Sequence, residues 1–206
     1  MRVLGVDPGL GRCGWAVLER RGGRMMAAGY GTIHTDGDQV APRLAALAAG
    51  LRQVLADHRP QALAVERLFF NANVRTAMTV GQASGVVLLL AAEHGLEVAA
   101  YTPPQVKQAV TGSGSAPKEQ VGYMVKALLG LAAVPTPADT ADALAVALCH
   151  LNHAGLVGPG TGAGAGAKAG AGSALGAAST ADWLARAAPT SPGLRGGPAG
   201  AGGGRR

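Results

Sequence analysis

Four acidic residues, Asp7, Glu66, Asp139 and Asp142, come from three separate stretches of this 206-residue chain. Asp7 and Glu66 each close a short apolar run, in "VLGVD" and "QALAVE". A carboxylate at the rim of a sheet must be paired, hydrogen-bonded or coordinated, because an unpaired buried charge is costly. Asp139 and Asp142 lie three apart in "TPADTADALAVALCH" and would share one face of a helix. Four such acids are the number that two divalent cations, about 4 Å apart, require for phosphoryl chemistry. Hard oxygen ligands favour Mg²⁺, with Mn²⁺ able to substitute, and two ions per site. Taken singly, three of the acids have a plain structural explanation. Asp7 before Pro8 and Gly9 can open a turn, and Glu66 can pair with Arg67. Asp139 fits the first turn of a helix capped by Thr136 with Pro137 as its first residue. Asp142 lies beyond that turn, and Lys and Arg supply few obvious partners for the set. A metal site accounts for all four together. His150 is eight residues past Asp142, about 12 Å along a helix, and is read as structural or as part of a helix end.

The elements that must position these acids follow from the apolar pattern. Val3–Asp7, Gly14–Glu19 and Met25–Thr35 read as a three-stranded meander, with "RRGGR" as the turn between the last two. Leu44, Leu47, Leu51, Val54 and Leu55 keep helical spacing from Pro42 until the chain reaches Pro60. Gln61–Glu66 is a continuous apolar run closed by an acid, as in a buried central strand. The pattern then predicts a long helix over Ala72–His94, a strand over Leu96–Tyr101 and helices over Pro103–Val110 and Lys118–Leu129. A last helix runs from near Pro137 to about His153. If the strands ending in Asp7 and Glu66 are central and parallel, both carboxylates emerge at the sheet edge where α/β folds place their sites.

Composition narrows the class of protein. Apolar residues make up 48% and aromatics 3%, so the core must be built mainly of Val, Leu and Ala. The formal charge of +6 hints at an anionic partner. The hint is weaker than it looks, because residues 1–154 carry 13 Lys and Arg against 11 Asp and Glu. Two cysteines, Cys13 and Cys149, make no disulfide framework and suit a reducing cytosol. There is no secretory signal pattern, and the apolar run Ala83–Ala92 is too short to cross a bilayer. A cytoplasmic protein without a membrane partner is expected. From Gly155 onward, "GPGTGAGAGAKAGAGSALGAAS" and "GLRGGPAGAGGGRR" cannot bury enough apolar surface to offset their ordering entropy. The expected division is an ordered domain over 1–154 and a Gly/Ala-rich disordered tail over 155–206. Within that tail "TADWLARAA" (Thr180–Ala188) could form a short helix.

Other residues near the acids have two readings each. Phe69 and Phe70 follow Glu66 closely, and an exposed aromatic there could wedge between or stack on bases; one is assigned to that role and the other to the core. Asn73 and Arg75 sit at the entry to the long helix and are candidate phosphate contacts. Lys107 and Lys118 flank "TGSGSAP" and are two of the three lysines before residue 155. Gly81, Ser84 and Gly85, beside Val86 and Leu89, make a flat face suited to packing on the chain's own sheet or on a second copy.

"DPGLGRCG" contains D-x-G-x-x-x-x-G, which resembles the phosphate-binding hairpin of actin-like ATPases and sugar kinases. Those proteins need a second, duplicated half, and they share a ribonuclease-H-like core, so the motif bears on fold more than on function. Taken together, "GVDPGLGRCGWAV", "AVERLFFNANVRTAMTVGQASGV", "YTPPQVKQAVTGSGSAPKEQV" and "DTADALAVALCH" resemble, in order and spacing, the RuvC family of Holliday-junction resolvases over residues 1–153. The resemblance implies an α/β fold with a ribonuclease-H-like mixed five-stranded sheet flanked by helices. It implies a homodimeric endonuclease that nicks two opposed strands of a four-way DNA junction. Asp7, Glu66, Asp139 and Asp142 would be its catalytic metal ligands. Some members carry histidine at the position of Asp139. Phe69, Lys107 and Lys118 would contact DNA, the RuvA and RuvB branch-migration complex would be a partner, and the protein would join the nucleoid when bound to DNA. Another ribonuclease-H-like nuclease of the resolvase type, or a non-catalytic junction-binding module, are the alternatives. The lysine segments and the "DTADALA" helix argue against the first, and four intact acids against the second.

Overall fold

The computed structural model describes residues 1–67 and 74–156, with the side chains of 74, 75, 155 and 156 excluded. Phe69, Phe70, Asn73, the Arg75 side chain and the segment from 157 to 206 lie outside the described residues. Five strands form one sheet: β1 (Arg2–Asp7), β2 (Arg12–Arg21), β3 (Arg24–His34), β4 (Ala62–Glu66) and β5 (Glu97–Tyr101). Five helices accompany them: α1 (Val40–His58), α2 (Val74–Glu93), α3 (Pro103–Thr111), α4 (Lys118–Leu129) and α5 (Ala138–Leu156). The order across the sheet is β3-β2-β1-β4-β5. β1, β2 and β3 are antiparallel neighbours, whereas β1, β4 and β5 run parallel. This is the expected mixed five-stranded sheet.

Successive strand residues point to opposite faces, and β1 uses both faces for burial. Val3 packs into a core with Leu18, Tyr101, Val106, Val121, Leu144 and Leu148, beneath α3, α4 and α5. Leu4 and Val6 face the other core, with Leu47, Leu51, Leu63, Val87 and Leu90 of α1, β4 and α2. A strand covered on both faces needs the near-continuous apolar run that the sequence shows. α3 starts with a capping box in which the Thr102 hydroxyl and the Gln105 side chain each serve the other's backbone N–H.

Several boundaries differ from the sequence reading. β2 extends two residues at each end, because pairing with β1 and β3 satisfies its backbone whatever the side chains are. α1 begins at Val40, ahead of Pro42, which the first helical turn tolerates because its missing N–H is not needed there. α5 begins at Ala138, so Pro137 precedes the helix; the Pro137 carbonyl accepts from the Thr140 N–H at 3.0 Å. The apolar stretch in α2 is longer than Ala83–Ala92. Thr76–Glu93 reaches a mean hydropathy of 1.3 over 18 residues, enough by length and composition to cross a membrane. Ala83, Val87, Leu90 and Ala91 of that stretch face the protein core, while Met78 and Leu89 are exposed.

Candidate active site

β1 and β4 deliver the first two acids. They pair in parallel with Val6 opposite Val65, so Asp7 and Glu66 leave the sheet side by side at one edge. The Arg67 N–H donates to the Tyr101 carbonyl at 2.6 Å, which carries the β4–β5 ladder past Glu66 and fixes its backbone. α5 lies across β1 and β2 and brings Asp142 to the same place. Asp7, Glu66 and Asp142 line an open cleft of about 640 Å³ together with Arg67, Lys107 and Lys118. Pro103, Val106, Val121 and Ala145 supply apolar wall. Lys107 comes from α3, and Lys118 is the first residue of α4. Asp139 sits to one side of the cleft, against β2.

The cations in and beside the cleft are arranged around these acids. Lys118 Nζ lies 2.7 Å from Asp142 Oδ2, and Arg12 Nε lies 3.2 Å from Asp139 Oδ2. Both pairs correct the expectation that Lys and Arg supply few partners; tertiary packing supplies them across long sequence separations. The Arg12 pair is incomplete, since Asp139 Oδ2 is buried and accepts no hydrogen bond. No ion pair links Glu66 to Arg67 among the described residues, which removes the local explanation for Glu66. Burial, then the charges of Asp142, Glu66 and Asp139, push the Asp7 carboxyl up to about 7, with Lys118 opposing. Burial and Asp142 likewise raise Glu66, against the pull of Lys118 and Lys107. The hydrogen bond to Asp142 raises Lys118. The acids thus sense one another strongly, and neutralising their mutual repulsion is what a bound cation would do.

Among the described residues, no three Asp, Glu, His or Cys side chains stand close enough to grip a single ion as they are. The donor chemistry nevertheless fits a hard divalent cation. Three carboxylates line one cleft, and a fourth stands close enough to raise Asp7.

The remaining assignments separate cleanly. His150 is structural, as expected: it is buried on α5 and its Nδ1 lies 2.8 Å from the Tyr101 hydroxyl. Cys13 lies in the core and burial holds its thiol up to about 12, so it is no nucleophile. The sequence reading missed Arg12 and Arg67. Arg12 could have been found from the hairpin, because Asp7 pairs with Gly14 and places "GRC" beside the site. The DNA-contact candidates Phe69, Asn73 and Arg75 fall outside the described side chains.

The model of the family described as crossover junction endodeoxyribonuclease RuvC matches residues 3–150. The chain belongs to the RuvC family. A RuvC of Moorella thermoacetica is 53% identical over 155 residues, covering 75% of this chain and 93% of that protein. The RuvC of Frankia alni is 56% identical over 153 residues, covering 73% of this chain and 78% of its own. Among solved structures, Thermus thermophilus RuvC in complex with a Holliday junction substrate superposes with a TM-score of 0.72 at 40% identity. That match covers 76% of this chain and 96% of the other. The RuvC family is one of metal-dependent nucleases.

Proposed function

We propose that this chain resolves four-way DNA junctions by paired, symmetric hydrolytic nicks, with Asp7, Glu66, Asp139 and Asp142 as its metal ligands. The observation that carries the reading is the cleft itself. Two parallel strand ends and one helix converge three carboxylates on a pocket walled by two lysines, in a family named for junction cleavage.

The cations are taken to be Mg²⁺, with Mn²⁺ able to substitute, two per site. When bound, they supply activation of a water nucleophile and charge compensation at the leaving oxygen. The protein's own groups do the rest. Lys107 and Lys118 offer positive charge to the phosphodiester backbone, and Lys118 must leave Asp142 to do so. Arg67, exposed on the cleft rim, can take a neighbouring phosphate. Hydrolysis forms a bond from a water oxygen to phosphorus and breaks the bond from phosphorus to O3′. The products are a 5′-phosphate and a 3′-hydroxyl. No Ser, Thr, Tyr or Cys lines the cleft among the described residues, which suits direct attack by water without a covalent enzyme intermediate. Phe69, Asn73 and Arg75, in the segment between Glu66 and the body of α2, extend the DNA-contacting surface.

The same reading includes a homodimer. Met78 and Leu89 are 60% and 57% exposed on α2. Between them Gly81 and Gly85 leave open space where side chains would stand. A second copy related by a two-fold axis fits this face, and two sites then meet a junction of matching symmetry. Work in the cytoplasm on the nucleoid, alongside RuvA and RuvB, completes the proposal.

Incubation with a synthetic four-way junction, with and without Mg²⁺, tests it. Parent protein should cut two opposed strands only with the metal. Asp7→Asn, Glu66→Gln and Asp142→Asn should each lose cleavage by at least about a hundredfold while retaining junction binding. Near-parental cutting by any one of them would remove that residue from the ligand set.

A further inference from the structure

The first turn of α5 is seated on the sheet by contacts that the four carboxyl groups do not themselves make. A Cβ added at Gly14 would stand 1.9 Å from the Asp139 carbonyl oxygen and 2.4 Å from its carbon. Real Cβ atoms do not approach within 3.0 Å, and the obstacle here is backbone, not the end of a flexible side chain. Only glycine therefore allows α5 to lie this deep at this point.

A second, independent contact fixes the same turn from the side. The Thr32 hydroxyl on β3 lies 2.8 Å from the hydroxyl of Thr140. Thr140 is 1% exposed and stands between Asp139 and Asp142 in sequence. Asp7 pairs with Gly14, and Gly14 pairs with Thr32. One row across β1, β2 and β3 thus holds an acid, a seat and an anchor. A valine in place of either threonine would fill nearly the same volume, so packing alone does not call for the hydroxyls. A buried hydroxyl is instead costly unless partnered, so the pair favours one rotational setting of the turn.

We propose that the Thr32–Thr140 pair positions the metal site: on the seat that Gly14 leaves open, it sets the rotation of the start of α5 that presents Asp139 and Asp142 to Asp7. The inference rests on the reading of these acids as metal ligands. Neither residue touches the metal or the DNA. Their effect is on cation affinity, as is usual for groups that orient ligands, where loss typically weakens binding about 10- to 100-fold.

The test uses the full-length chain and Mn²⁺ as the probe. Two quantities are measured: the Mn²⁺ concentration giving half the maximal rise in Tm without DNA, and the Mn²⁺ concentration giving half-maximal junction cleavage. Thr32→Val should raise both by about tenfold and leave junction affinity in EDTA unchanged, and Thr32→Ser should restore parental values. Asp142→Asn serves as the reference and should lose the Mn²⁺-dependent rise in Tm. Parental Mn²⁺ midpoints in Thr32→Val, whatever its Tm without metal, would overturn the inference while leaving the site intact. An Mn²⁺-dependent rise in Asp142→Asn equal to that of the parent would overturn the ligand reading, and this inference with it.

Discussion

Asp7 holds together the electrostatics of the cleft. Its carboxyl is pushed from an ordinary 3.8 up to about 7, first by burial and then by three neighbouring acids. An acid whose folded value is raised binds its proton more tightly when folded. The resulting stabilisation is complete below pH 4 and is lost as pH rises from there through 7. Metal-free protein should therefore lose stability over that range, and Asp7→Asn, which stays neutral, should not lose this contribution. Thermal unfolding in EDTA should show the variant matching the parent near pH 4 and exceeding it at pH 8. A difference of 1 kcal/mol corresponds to about 2–4 °C in a chain of this size. Saturating Mn²⁺ should reverse the order at pH 8, because only the parent keeps its full ligand set. A parent that is the more stable of the two at pH 8 in EDTA would show that the crowding of the acids is not real. At this scale the sequence carried much. Acids that end apolar runs must be paired, hydrogen-bonded or coordinated, and the three-residue spacing of Asp139 and Asp142 put both on one helix face. What it did not carry were the partners Arg12 and Lys118. Those pairs depend on which elements meet in space, and neither apolar period nor local spacing encodes that.

The elements explain why the acids arrive together. α5 approaches the sheet closely enough that a Cβ on Gly5 would meet the Ala143 carbonyl oxygen at 2.2 Å and the Ala147 Cβ at 2.8 Å. Gly5 is in the middle of β1, two residues before Asp7, with strands on both sides. Neither partner can retreat: one is helix backbone and the other is a strand paired twice over. Gly5→Ala should therefore cost about 1–3 kcal/mol, the usual range for overpacking, read from urea unfolding. A loss below about 0.5 kcal/mol, ordinary for a surface change, would mean that α5 shifts freely on the sheet. The strands and helices themselves were legible because short continuous apolar runs give way to stretches at helical spacing along the chain. The ends were less so. β2 gained four residues from pairing that side-chain type does not report, and α5 started after Pro137, not on it. Close approach was the least legible feature. A glycine inside a strand pattern signals close packing of some kind, but the sequence does not say which helix provides it.

At the scale of the whole molecule, two parts of the chain can be tested. The first is the exposed face of α2. Leu89→Arg places a charge on it without touching the core, so a dimer built there should dissociate, as light scattering would show. Each monomer would still cut, but the two nicks on one junction should become independent, and a cruciform in supercoiled DNA should yield nicked circles before linear product. A Leu89→Arg protein that remains dimeric would place the seam elsewhere. The second is the segment beyond α5. Residues 157–206 carry five Lys and Arg against one acid and are dominated by Gly and Ala. The sequence reading expects such a composition not to offset the entropy of ordering, and none of the four acids lies in it. Removing it should leave folding, dimerisation and junction cleavage intact. It should weaken non-specific duplex binding slightly, with the slope of log affinity against log salt becoming shallower by about 0.9 for each phosphate that the shortened protein no longer neutralises. Trp183 reports directly on this segment. Trp15, the other tryptophan, is half-buried on β2 with its ring 5.6 Å from that of His58. Acrylamide should therefore quench Trp183 readily and Trp15 poorly, and a Trp15→Phe variant should emit at the red-shifted maximum of a solvated indole. If the indole in Trp15→Phe resists quenching, or the shortened protein fails to cut a junction at low salt, then Thr180–Ala188 docks on the nuclease domain and belongs to its working structure.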